Sequence, residues 1–123
     1  MTPVIIALWI VNILLALVFL AAGAMHAFRP REALAETMAW TADSSDGMVK
    51  TIGILELLGA LGLILPLATG IAPILTPLAA IGLAAVMIGA IVTHARRSEP
   101  VVPPVVLALL AVASAILGFL VVA

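Results

Sequence analysis

Glu56 is the residue around which chemistry could be built. It stands in Gly53-Ile54-Leu55-Glu56-Leu57-Leu58-Gly59-Ala60-Leu61-Gly62, six residues beyond Lys50, a depth of ~9 Å at the helical rise per residue. An unpaired carboxylate inside hydrocarbon costs at least ~2.5–3.5 kcal/mol on insertion scales. Such an acid must hold a proton or meet a donor or cation, and either arrangement suits proton transfer or ligand orientation. The plainer alternative is an interhelical hydrogen bond that only holds helices together. Gly53, Gly59 and Gly62 give the same segment a small-residue surface, so Glu56 is expected to point into a bundle and away from lipid.

Two histidines are the titratable neighbours within reach. His26-Ala27-Phe28-Arg29 and His94-Ala95-Arg96-Arg97 both read His-Ala-x-Arg, an echo that either a duplicated helical hairpin or chance would produce. If the third apolar span packs on the second, His94 reaches Glu56 directly or through water. That pair would be a proton relay or the polar mouth of a pocket. Histidines on two helices could in principle ligate haem iron or a metal. No second shell accompanies them, and interfacial histidines ordinarily face headgroups and water, so neither a haem nor a metal is expected. Asn12 and Ser114 form a second polar layer ~20 Å from the same end, suited to a hydrogen bond between spans one and four that serves as a helix-packing polar pair.

The elements that must position these groups are apolar helices. The 123 residues are 66% hydrophobic and 9% charged, against an apolar share of ~45–50% in a soluble globule. Four spans are read at about 3–25, 48–67, 71–93 and 103–121, each near the ~20 residues a bilayer core requires, in one transmembrane domain over 1–123. The expected fold is all-α, an integral membrane four-helix bundle. Pro73 and Pro77 are assigned to the first turns of span three. Small residues at Ala111, Ser114, Ala115 and Gly118 mark a packing face on span four, and such faces are also compatible with a homo-oligomer.

Every Lys and Arg falls in two connections: Arg29, Arg31 and Lys50 about the first, Arg96 and Arg97 in the second. The positive-inside tendency makes that face cytoplasmic and both termini external, as in a multi-pass protein of a bacterial inner membrane. In the first cytoplasmic connection, residues 31–41 are read as a short interfacial helix that begins after Pro30 and carries Trp40 at headgroup level. Asp43-Ser44-Ser45-Asp46-Gly47 then supplies N-cap candidates for span two.

Composition also excludes function classes. A net charge of −1 and five basic residues that orient the chain leave no groove for nucleic acid. Cysteine is absent, which removes disulfides, thiolate metal sites and dithiol–quinone exchange. No phosphate-binding glycine loop, nucleophile elbow or His-Glu-x-x-His zinc motif is present.

The layout resembles the DoxX family of small bacterial four-span membrane proteins, and more closely its DoxX-like branch. The resemblance is carried by Ala21-Ala22-Gly23 followed by Phe28-Arg29-Pro30, by the Gly53–Gly62 segment around Glu56, and by Thr93-His94-Ala95-Arg96-Arg97-Ser98-Glu99-Pro100. It implies a four-helix membrane bundle associated with redox functions, since the family name comes from subunits of quinol-linked oxidase and thiosulfate-oxidising systems. It also implies a soluble oxidoreductase as a partner. His26 stands where the family frequently has Lys, which places a titratable group near Glu56 in place of a fixed positive charge.

Taken together these readings give a non-catalytic membrane subunit, or a quinone-docking component, of a redox or stress-response assembly, in contact with membrane lipids. Two alternatives use the same residues: a small proton-coupled transporter working through Glu56, and a lipid- or quinone-binding bundle. An exporter of lipophilic cations would want an aromatic cage around its acid, yet spans two to four hold one aromatic residue, Phe119.

Overall fold

The computed structural model describes residues 2–122, with the side chains of Arg31 and Asp43 excepted. The orienting role read for Arg31 and the capping role open to Asp43 therefore lie outside the described residues. Helix α1 (Pro3–Phe28) begins where Thr2 Oγ1 accepts from the Ile5 amide and Pro3 occupies the first turn. It ends at Arg29, whose extended backbone is the conformation favoured before Pro30. Helix α3 (Asp46–Thr69) is capped by Ser45, whose hydroxyl accepts from Met48 N at 3.1 Å, and it stops at Gly70 in the left-handed region. Helices α4 (Leu75–Arg96) and α5 (Val102–Val122) complete the four. Among the described residues these four helices are the ones long and apolar enough to cross a membrane.

The chain runs up, down, up and down. Each long helix packs on its neighbour in sequence, and α5 closes the ring against α1. The short connections over 70–74 and 97–101 make α3, α4 and α5 antiparallel neighbours. Arg29, Lys50, Arg96 and Arg97 consequently gather at one end of the bundle. The interior centres on Leu15, Phe19, Leu63, Leu83, Met87 and Ala111. The outer surface is equally apolar, with Leu17, Leu58, Leu109 and Leu120 all more than half exposed. Lipid solvates such side chains as well as a protein core does, so burial of Leu does not select one packing over another. Close contact and polar bonds do that.

The tightest contact is the crossing of α1 and α3 at Gly23 and Gly53. A Cβ on Gly53 would stand 2.5 Å from Ala27 N and 2.8 Å from Gly23 O. Both are backbone atoms that cannot swing aside. Gly59 and Gly62 face the other way, against Leu83 and Ala79 of α4. The glycines around Glu56 thus divide between two neighbours and do not form one surface.

Three features differ from the sequence reading. Span three begins at Leu75 and not near 71, because Gly70 and Ala72 both take positive φ and turn the chain before the helix starts. Pro73 lies in that turn, while Pro77 stays in the first helical turn, where amides have no intrahelical acceptor. The first connection is not one helix over 31–41. It forms a single turn, α2 (Arg31–Ala35), and a 3-10 turn over Ala39–Asp43. Pro66, inside α3, withholds the amide that would bond Gly62 O. Thr76 Oγ1 of α4 donates to that carbonyl instead, at 3.0 Å.

Gly53→Ala should force α1 and α3 apart and cost about 1–3 kcal/mol, read by denaturant unfolding in detergent micelles. Gly82→Ala meets nothing within 4 Å and should leave stability within about 0.5 kcal/mol of the parent.

Candidate functional site

The glycine crossing sets the site. His26 lies one turn beyond Gly23 on α1, and Glu56 one turn beyond Gly53 on α3. Because the helices are antiparallel, each side chain lies over the other helix's glycine, and the two meet. His26 Nδ1 and Glu56 Oε1 are 2.6 Å apart, with both residues buried. The direct partner of Glu56 is therefore His26. His94, expected there if spans two and three packed suitably, turns to Glu99 at 3.1 Å.

The second ring nitrogen faces sulfur. His26 Nε2 lies 3.3 Å from Met38 Sδ. A thioether accepts weakly and cannot donate, so a hydrogen bond in that contact is one that Nε2 donates. Nδ1 then either accepts from a protonated Glu56 or, as imidazolium, donates to its carboxylate. A low-dielectric interior favours a buried ionisable pair that is neutral overall.

Met38 reaches His26 because the first connection folds back over the end of the bundle. Thr41, fully buried, donates to Met38 O at 2.8 Å and ties the 3-10 turn down. Trp40 then packs edge-on against the His26 imidazole, with ring centroids 5.3 Å apart and planes at 71°. Trp40 was expected at headgroup level in an interfacial helix. It is half-buried with its ring turned onto His26, which the break in that helix allows.

Beneath this cover is a cavity of about 680 Å³, walled by all four long helices and the folded-back connection. That volume lies within the ~300–1,000 Å³ typical of small-molecule sites. Phe19, Met48, Val86, Met87 and Leu107 give it an apolar body. Among the described residues, its ionisable lining is His26, Glu56, His94 and Glu99. The outer pair is three-sided: Glu99 Oε1 accepts from Arg97 Nε at 3.2 Å as well as facing His94 Nδ1. The Glu99 amide donates to His94 O at 2.8 Å, which closes the turn after α4. His26 and His94 thus line one cavity from different helices, each held by its own carboxylate.

Asn12 and Ser114 are brought together well away from this cavity. Ser114 Oγ donates to Asn12 Oδ1 at 2.5 Å, and Asn12 Nδ2 donates to Leu63 O at 2.9 Å. Those two bonds join α1, α3 and α5 at a point with no exposure.

Sequence reasoning missed Met38 and Trp40 as neighbours of His26, and Glu99 as the partner of His94. No local signal marks the first two, since their approach depends on how a connection folds across the bundle. The third had one. Glu99 follows His94 by five residues before a proline, close enough for a turn to bring them into contact.

The chain matches the DoxX-like family model over residues 10–116 and belongs to that family. No curated protein and no solved structure matches it.

Removing the acid tests the pairing. Glu56→Leu leaves His26 buried beside an apolar side chain and should cost about 1–3 kcal/mol. Glu56→Gln keeps a donor for Nδ1 and should cost distinctly less. Thermal unfolding in detergent should rank the proteins parent, Gln variant, Leu variant.

Proposed function

We propose that this DoxX-like membrane protein binds an amphipathic ligand of the quinone class and serves as the quinone-docking membrane component of a redox assembly. The observation that carries the reading is the cavity of about 680 Å³ with the His26–Glu56 pair in its wall. An apolar chamber opening among transmembrane helices suits a ring with a hydrocarbon tail. A buried pair of histidine and carboxyl side chains suits a headgroup whose oxygens gain and lose protons as its redox state changes. Electrons come from outside the chain, which supplies no thiol. A soluble oxidoreductase docked at the basic end is the partner that would deliver them.

The basic end is assigned to the cytoplasm and the membrane to the bacterial inner membrane, on the clustering of Arg29, Lys50, Arg96 and Arg97. Proton-coupled transport is the weaker reading of the same pair. Toward the opposite end the interior is filled by Leu15, Leu63 and Leu83, each at most 1% exposed, and the chamber therefore favours a ligand that enters and leaves on one side.

A short-chain benzoquinone titrated into nanodisc-embedded protein should quench Trp40 saturably, at one quinone per chain, in a Trp9→Phe background. Ala90→Phe, which fills the chamber from α4, should abolish the saturable component. Non-saturable quenching that is identical in both proteins would contradict the proposal. For the partner, mild-detergent purification from native membranes should co-isolate an oxidoreductase in fixed stoichiometry.

A further inference from the structure

We propose that the Nε2–H group of His26 is the headgroup donor of this cavity, held by the thioether of Met38, and that the cavity selects a flat ring bearing a compact, uncharged oxygen acceptor. The inference rests on the quinone-class reading of the site and deepens it by naming the atom that recognises the ligand and the residue that guards it.

Three observations converge on this atom. Nδ1 of His26 is committed to Glu56 at 2.6 Å, so Nε2 is the ring's other polar atom, and its partner is Met38 Sδ at 3.3 Å. Sulfur in a thioether is among the weakest acceptors a protein offers. A ligand carbonyl is a better one, and the exchange of N–H···S for N–H···O favours the ligand. Met38 can also leave at low cost. Its side chain is unbranched and adaptable, and its backbone lies between α2 and the 3-10 turn, outside either helix. Trp40 stands beside the same imidazole and lines the chamber, providing an aromatic wall for a ring that docks there.

Charge argues for an uncharged headgroup. Among the described residues, the four ionisable groups lining the chamber occur as two pairs, His26 with Glu56 and His94 with Glu99, the latter also bound by Arg97. A cationic ligand would have to compete with His26 for a carboxylate that is 2% exposed. An anionic one would enter a chamber whose acids lie beside its histidines. A neutral acceptor requires neither pair to break, and it replaces a thioether as the partner of Nε2. Met38 is in this account a positioning residue that acts through His26.

The experiment uses the full chain in nanodiscs, labelled with 15N-histidine and titrated with the same short-chain benzoquinone. The imidazole signals of the two histidines are assigned by comparison with His94→Gln. The His26 Nε2–H signal should shift on titration with the midpoint of Trp40 quenching. Met38→Leu keeps the bulk and removes the acceptor, and should tighten Kd about two- to tenfold, the equilibrium equivalent of one modest hydrogen bond no longer being exchanged. Saturable quenching with a stationary His26 signal, or with Kd unchanged or weakened in Met38→Leu, overturns this assignment and leaves the quinone reading in place. Absence of saturable quinone binding in the parent overturns both.

Discussion

The hydrogen bond between His26 and Glu56 is the constraint on which the rest of this structure depends. An acid and an imidazole inside a membrane bundle are tolerable only as a pair that is neutral in sum. At 2.6 Å they leave no room for side chains between the backbones that carry them. Gly23 and Gly53 meet that requirement, each lying beneath the other helix's polar residue. The crossing fixes the register of α1 on α3. That register in turn sets which faces remain for α4 and α5, and the chamber lies among the four helices on the side of the basic end.

The remaining corners are fixed by a few further polar atoms, each satisfying a need created by the sequence. Pro66 frees the Gly62 carbonyl, and Thr76 answers it from α4. Asn12 takes the Leu63 carbonyl with its amide and the Ser114 hydroxyl with its oxygen. Bonds of this kind average only ~0.6 kcal/mol in a membrane. Their value here lies in direction: apolar packing between lipid-like surfaces has many near-equal solutions, and a hydrogen bond of fixed geometry selects among them.

Much of this was legible in the sequence, for identifiable reasons. Twenty-residue apolar runs bounded by Pro30, Ser45, Gly70 and the Arg96–Arg97 pair mark four helices whatever their packing, and a carboxylate at Glu56 has to face inward. The choice between His26 and His94 as its partner was not legible. All four helices are apolar on every side, so no periodicity says which faces meet. The glycines around Glu56 read as one surface and prove to serve two, with Gly53 toward α1 and Gly59 and Gly62 toward α4. The inward fold of Met38 and Trp40 was hidden for a different reason. It arises from a break between two single turns, and residues 31–41 carry a helical pattern strong enough to mask that break.

The resulting picture is a bundle whose buried His26–Glu56 pair both locks two helices and lines the chamber a ligand would occupy. Structure and proposed binding meet in the same bond, so its strength is the quantity to measure. A double-mutant cycle of His26→Leu and Glu56→Leu, followed by reversible unfolding in micelles, isolates it. The account predicts that each single variant is destabilised and the double variant little more than either, a coupling of about 1–3 kcal/mol. Additive losses, with coupling under about 0.5 kcal/mol, would contradict it, because His26 and Glu56 would then not be holding each other.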